Sequence, residues 1–436
     1  MITLITNPII ISVILLCILC LCRVNVLLAL IISSVVGGLV GNIEIGQVMD
    51  IFIKGMGGNS ETALSYILLG AFAASMTHTG LAPILSMKIA NAIQSKKFLL
   101  IFILTSIAIL SQNLIPVHIA FIPILVPPLL VIMNKLKIDR RAVACGLAFG
   151  LKTPYIVIPA GFGLIFQGLI AENLISNGVE VAKNEIWKST WTLGLAMLIG
   201  FLIAIFISYR KPRTYENLEV KLPPEKENLE LNKNHYITLI AAILTLGVQL
   251  LTNSLPLGAL VGLAVIFGFK AIDHKKMDKL INEGVGLMGY VAFVMLVAAG
   301  FASVMKATGG IDTLVNTIAP YMMSSKILAT ILMLFVGLFI TMGIGTSFGT
   351  IPILAVLYVP ICLKLGFSIP SIIIVLAAAA ALGDAGSPAS DTTLGPTAGL
   401  NADNQHDHIW DTCIPTFLHY NIPLIIMAIL CVAIFG

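Results

Sequence analysis

Long apolar runs separated by short polar stretches dominate this chain. Many approach the ~20 residues that a helix needs to cross a bilayer. They predict helical elements near 2–22, 24–41, 57–77, 98–112, 115–134, 141–170 and 188–209. A second set follows near 236–252, 256–271, 285–306, 327–342, 346–363, 369–399 and 415–435. The pairs at 98–134 and 327–363 fit either two spans each or a re-entrant hairpin. The expected fold class is an all-α polytopic membrane protein with broken helices.

The two sets are copies. Phe72-Ala73-x-x-Met76-x-x-Thr79-Gly80 recurs as Phe301-Ala302-x-x-Met305-x-x-Thr308-Gly309, at an offset of 229 residues. At the same offset Ile122-Pro123-Ile124-Leu125 recurs as Ile351-Pro352-Ile353-Leu354, and Pro159-Ala160 as Pro388-Ala389. The expected organisation is a first repeat at 1–209, a linker at 210–235 and a second repeat at 236–436. Each repeat makes an odd number of crossings, so the two are expected to be inverted. Loop charge agrees with inversion. The linker carries Arg210, Lys211, Arg213, Lys221, Lys226 and Lys233, which places it in the cytoplasm. The loops around Lys135–Arg141 and Lys275–Lys279 fall on the same side. Their repeat partners, near Lys364 and Lys54, are poor in charge. Duplicated halves of this kind are a signature of secondary transporters.

Composition narrows the class further. Hydrophobic residues make up 58% and charged residues only 11%, against roughly 25% charged in a soluble chain. The mean hydropathy is +1.02. A net charge of +4 is too small to suggest nucleic acid as a partner. No Lys or Arg precedes Arg23, so the first apolar run reads as a span and not as a cleavable signal. The cysteines lie mostly in apolar runs and read as packing residues. Cys17-x-x-Cys20-x-Cys22 lacks the histidines or second pair that a metal site requires. Nothing resembles a nucleotide-binding loop. A non-enzyme is expected, without a cofactor beyond a coupling ion.

The candidate chemistry sits where apolar runs are interrupted. Ile369–Leu382 runs without a break into Gly383, Asp384, Gly386, Ser387, Pro388, Ser390, Asp391, Thr392 and Thr393. Carboxylates at membrane depth are costly and mark an ion or substrate path. Proline and glycine there stop the helix, and freed carbonyls can then serve a ligand. Asp391 is the first choice for a cation or proton, with hydroxyls on both sides, and Asp384 is second. The alternative for each is a helix cap. The equivalent segment, Gly150–Gly163, carries Lys152 and Thr153 but no carboxylate. Lys152 is expected near the midplane, paired with an aspartate or holding a substrate carboxylate. The tips Gly343–Thr350, with Gly345, Thr346 and Ser347, and Gln112–His118, with Asn113 and His118, are expected to offer carbonyls and side chains to a solute. Asn401, Asp403, His406, Asp407, His408 and Asp411 are metal-ligand types without a zinc spacing. They read better as a cytoplasmic connector with a gating role.

The strings GTSFGTIPI and GDAGSPASDTT resemble the signatures of NhaC-type Na+/H+ antiporters of the ion-transporter superfamily. The continuation NADNQHDHIWDTCIPTFLHYNIPL is similar to a narrower, amino-acid-linked branch. The resemblance implies inverted repeats, with a scaffold and a moving transport domain. It places Thr346 and Ser347 in the hairpin-tip motif, and Asp384, Ser387, Ser390, Asp391 and Thr392 in the broken-helix motif. Ala385 and Gly386 stand where antiporters are expected to carry bulkier residues. That departure and the buried Lys152 argue against pure cation exchange. The expected ion site is therefore Asp384, Asp391, Ser387, Ser390, Thr392 and Thr346. The expected solute site is Lys152, Thr153, Asn113, His118, Ser347, Gly345 and Gly386. The leading expectation is an inner-membrane transporter of a small organic solute, an amino acid, driven by Na+ or H+. Na+/H+ exchange without an organic substrate is the alternative. Expected partners are the solute, the lipid bilayer and a second copy of the chain. Gly383-Asp384 also echoes intramembrane aspartyl proteases, but the chain has no Tyr-Asp pair to complete such a site.

Overall fold

A computed structural model of the chain describes residues 6–22, 24–80, 97–113, 122–216, 231–252, 254–310, 313, 325–344, 346–388 and 390–436. His118 and Gly345 lie outside these residues, as does the side chain of Asn113. The longer helices of the first half are α1 (Pro8–Leu21), α2 (Val26–Val40), α3 (Ile45–Met56), α4 (Ser60–Thr79), α5 (Lys97–Asn113), α6 (Leu130–Lys135), α7 (Arg140–Val157), α8 (Phe162–Ile175) and α9 (Ile186–Ile203). Those of the second are α10 (Lys233–Thr252), α11 (Leu255–Gly268), α12 (Met277–Ala307), α13 (Lys326–Ile344), α14 (Ser347–Lys364), α15 (Ile369–Ala381), α16 (Asp391–Leu400) and α17 (Ile422–Phe435). No strand occurs among the described residues.

Helix starts carry the 229-residue offset seen in the sequence. Val26 and Leu255, Lys97 and Lys326, Arg140 and Ile369, and Phe162 and Asp391 each begin a helix at equivalent positions. The caps match in chemistry even where the residue differs. Asn25 and Ser254 cap α2 and α11 with side-chain oxygens, and Asp139 and Ser368 do the same for α7 and α15. A side-chain acceptor at this position satisfies an amide that the first helical turn leaves unpaired.

Among the described residues, four helical stretches are long and apolar enough to cross a membrane singly, at 183–208, 233–252, 347–364 and 408–435. α7 and α8 together make a fifth, bent by 47°. Shorter apolar helices stand beside them. Isoleucine, leucine and phenylalanine side chains such as Ile207, Leu251, Phe339 and Ile434 face outward, as a lipid-exposed surface requires. One core gathers α5, α7, α8, α14 and α15, and a smaller one gathers the end of α4 with α10, α11 and the start of α12. The run Ala377–Ala381 on α15 is fully buried. Such small side chains allow close helix approach where lipid offers no hydrophobic drive.

Both α7 and α15 end inside this core. α7 stops at Val157, and the chain turns through Ile158–Gly161 before α8. α15 stops at Ala381, and α16 begins at Asp391. Gly383 turns the second break at φ +83°, and a Cβ there would lie 2.7 Å from Met342 Cγ and 2.8 Å from the Leu338 carbonyl. Gly383→Ala is therefore expected to lower the unfolding free energy by about 1–3 kcal/mol. The helical Gly286→Ala, which meets nothing within 4 Å, should leave it unchanged or slightly raised. Thermal unfolding of both variants in detergent checks this. Equal melting temperatures would contradict the strain argument.

Candidate functional site

The second break wraps one carboxylate in hydroxyls. Asp384 is 5% exposed. Its Oδ2 accepts from Tyr155 Oη at 2.6 Å and from Ser347 Oγ at 3.0 Å. Its Oδ1 accepts from Ser390 Oγ, with Thr392 Oγ1 at 3.4 Å. Thr392 also donates to the Asp384 carbonyl at 3.0 Å. Tyr155 and Ser347 touch each other at 2.9 Å. Three separate pieces of chain build this cage: α7, the start of α14 and the loop that ends at α16. The rings of Phe166 and Phe348 pack against Tyr155 and close its apolar side, and Tyr66 packs on Phe162 and Phe348 behind them. Hydrogen bonds to a charged acceptor contribute about 1.5–3 kcal/mol each, which offsets the burial of the carboxylate.

Lys152 enters the same break from α7. It is fully buried, and its Nζ donates to the Ala381 carbonyl at 2.5 Å. Ala381 lies three residues before Asp384. The contact that Lys152 makes here is with backbone and not with the Asp384 carboxylate, so the expected pairing with that aspartate is corrected to a backbone contact. Two of the contacts at this break join residues 229 positions apart, Lys152 to Ala381 and Tyr155 to Asp384.

The order of the two aspartates reverses. Asp384, ranked second in the sequence, is the hub. Asp391, ranked first, begins α16 with an exposed side chain, while its neighbours Ser390 and Thr392 turn toward Asp384. Ser390 also caps α16. Ser347 joins the cage, and Thr346 caps α14 with its backbone. Ser387 bonds the Met342 carbonyl at 3.3 Å, away from Asp384. Thr153 points to Met197 Sδ at 3.5 Å on α9, not to the break. Gly386 leaves no space for a solute: at φ +100°, a Cβ would meet Phe417 Cβ at 2.5 Å. Its smallness admits a helix neighbour. Tyr155 is the residue that the sequence reading passed over. A phenol in an apolar helix looks like core, and its one signal was its position 229 residues before Asp384.

Carbonyls freed by the breaks are satisfied by side chains. Thr190 and Gln167 serve Ile156 O at 2.7 and 3.3 Å, Thr341 serves Ala379 O at 3.2 Å, and Asn421 serves Ala385 O at 2.9 Å. Beyond α16, the polar connector locks the two copies together. Arg140 forks onto both oxygens of Asp403, at 2.6 and 2.5 Å, with both side chains almost fully buried. Arg140 also reaches the Leu400 carbonyl and lies 4.2 Å from the Tyr215 ring centre. Arg213 of the linker pairs with Asp411 at 2.7 Å. Asp407 caps Trp410, and His406 meets Thr412 at 2.7 Å. No cluster able to hold a metal occurs among the described residues, and these side chains already serve one another as a connector.

Family comparison follows this geometry. A model described as the Na+/H+ antiporter family matches residues 146–431, which hold both breaks, and a second of like description matches residues 7–93. The chain belongs to the Na+/H+ antiporter family. This family member is 48% identical over 432 residues to a Vibrio parahaemolyticus membrane protein, VP2115, named as uncharacterized, covering 96% of this chain and 98% of that one. It is 45% identical over 435 residues to Bacillus subtilis YuiF, named provisionally as an amino acid transporter, with 96% and 98% covered. Neisseria gonorrhoeae MtrF, described with a class of antimetabolite efflux pumps, shares the fold at a TM-score of 0.59 and 17% identity, over 89% of this chain and 85% of that one. The Alcanivorax borkumensis YdaH transporter matches at 0.59 and 14%, over 89% and 88%. The antiporter-family chain is a multi-pass membrane protein and a secondary transporter.

The connector has a defined acid response. Burial pushes the Asp403 carboxyl up, but the Arg140 guanidinium outweighs it and holds the group below its ordinary 3.8. Burial drives His406 down to about 4, with Asp411 opposing. A lowered carboxyl stabilises above its ordinary value and loses that stability as pH falls through the folded one. A lowered histidine acts in the same direction, starting from 6.5. Hydrogen exchange at residues 401–407, corrected for intrinsic rates, should therefore be flat at neutral pH. Protection should decline below 6.5 and drop further below 3.8. Asp403→Asn should cost about 3–5 kcal/mol of that protection at neutral pH, because it strands Arg140. Protection that is flat down to pH 4 would contradict this account.

Proposed function

We propose that this transporter moves a small organic solute, an amino acid, coupled to Na+ or H+ at Asp384, by alternating access of two inverted halves. The hydroxyl cage around Asp384 is the observation that carries the reading. Tyr155, Ser347 and Ser390 now donate to the carboxylate, and Thr392 donates to the Asp384 carbonyl beside it. When these hydroxyls rotate, their lone pairs and the carboxylate form an all-oxygen set suited to a hard cation. A proton on Asp384 would instead turn one oxygen into a donor within the same cage. Either event changes which bonds hold α7, α14 and the second break together, and that links ion binding to the packing of the halves.

Lys152 favours an organic passenger. A buried ammonium repels an incoming Na+, and the carboxylate end of a solute offsets that repulsion. The provisional naming of the Bacillus subtilis relative for amino acid transport is consistent with this reading. Exchange of Na+ for H+ alone is the second reading, and the family description favours it.

Proteoliposomes separate the two. Radiolabelled amino acids should accumulate under an imposed Na+ or pH gradient. Proton flux driven by Na+ with no amino acid movement would refute the organic reading. Asp384→Asn should abolish gradient-driven uptake, whereas Asp391→Asn should retain most of it. Tyr155→Phe removes one cage bond and should weaken ion activation by about tenfold, the effect of ~1.4 kcal/mol. Lys152→Met should weaken solute binding more than ion binding; an equal loss of both would assign Lys152 a structural role only.

A further inference from the structure

A cavity of about 370 Å³ lies where the first helix break meets the start of α9. Pro159 of the break, Glu61 of α4, Gln167 and Glu172 of α8, and Lys183 and Trp187 beside α9 line it, with aliphatic side chains completing the wall. Its charges are unequal. Glu172 is neutralised by Lys183 at 2.6 Å. Glu61 has no ion pair among the described residues, so the cavity keeps one uncompensated negative charge.

Gln167 supplies an independent sign of a missing partner. It is 2% exposed, and its Nε2 donates to the Ile156 carbonyl at 3.3 Å. That bond fixes the amide, and Oε1 then has no partner among the described residues. A buried acceptor without a donor costs about 1–3 kcal/mol. The buried Gln167 oxygen lacks a donor, and the exposed Glu61 carboxylate at the rim attracts a positively charged one. The Trp187 ring adds a face that attracts cations, and the aliphatic wall suits a carbon body. A bare metal cation would make no use of that wall.

We propose that this cavity is a second binding site, separate from Asp384, for the ammonium end of an organic solute. The proposal rests on the organic-solute reading above for its physiological ligand. Gln167 holds the carbonyl of Ile156, the residue next to Tyr155, so an occupant of this cavity sits one peptide from the cage. The site selects a primary ammonium on an apolar body. It rejects the matching alcohol, which brings no charge to Glu61.

The test uses n-butylammonium chloride as probe on the full-length protein in detergent, read by tryptophan fluorescence. Trp187 reports on the cavity, and Trp187→Phe identifies its share of the signal against Trp191 and Trp410. The expected result is a saturable change that n-butanol and NaCl do not produce. Glu61→Gln, at the exposed rim, should weaken binding about tenfold. Gln167→Met should weaken it as well, and Glu61→Gln carries the test if that variant fails to fold. Asp384→Asn should leave binding unchanged. The proposal is overturned by the absence of a saturable change, by equal binding of n-butanol, or by equal binding in Glu61→Gln. Loss of binding in Asp384→Asn would place the cation in the cage and also overturn it. Ammonium binding in a protein that transports no organic solute would sink the transport reading and leave this site standing.

Discussion

Backbone that leaves a helix inside a bilayer has no water to take its place as a hydrogen-bond partner, so other side chains must supply every bond the break releases. The two breaks at 158–161 and 382–390 set that demand, and much of the inner structure answers it. Lys152, Thr190, Gln167, Thr341, Asn421 and Thr393 each spend a donor on a carbonyl at or beside a break. His408 does the same for Pro388 at 3.0 Å. These donors come from α7, α8, α9, α13, α16 and the segment before α17. The breaks therefore tie together helices that are far apart in sequence. Moving one half against the other requires these bonds to be exchanged and not simply lost.

Asp384 sits where this exchange is easiest. Its partners are hydroxyls, which can donate or accept with a rotation of one bond, whereas an ammonium or a guanidinium can only donate. A cage built from arginine or lysine would hold the carboxylate more firmly and leave no room for a cation. The fixed charges are kept elsewhere. Lys152 is tethered to Ala381, and the arginine forks lie at the far end of α7 on Asp403 and in the linker on Asp411. The same helix thus carries a rigid ionic anchor at its start and a switchable polar contact near its end.

Much of this was legible in the sequence. The offset of 229 residues gave the pairing of breaks, and the structure repeats it in helix starts and in caps where Asn25 stands for Ser254 and Asp139 for Ser368. The hydroxyl-rich surroundings of the two aspartates were legible as well. Which aspartate they serve was not. Chain neighbours of Asp391 looked like its ligands, but the turn at Gly383 and Gly386 swings Ser390 and Thr392 onto Asp384. A local reading cannot see such a reversal, because direction after a break depends on φ and on packing partners such as Phe417. Thr153 and Gly386 were misread for a related reason. Proximity in sequence to a polar motif does not decide which helix face a residue occupies.

The contacts between equivalent positions carry a further consequence. Lys152 meets Ala381 and Tyr155 meets Asp384, and if the 229-residue offset records a duplication, each pair joins a residue to its own duplicate. In a symmetric ancestor those contacts would have been between identical residues on the axis, lysine facing lysine or aspartate facing aspartate. Two like charges at that distance in a low-dielectric interior repel strongly. Divergence of the copies removes the conflict by giving one side the ammonium and the phenol, and the other side the carbonyl and the carboxylate. On that reading the site takes its geometry from the duplication and its charge from the loss of identity. A single carboxylate at the axis, open to hydroxyls from both copies, is an arrangement that an exactly symmetric pair of halves could not have held.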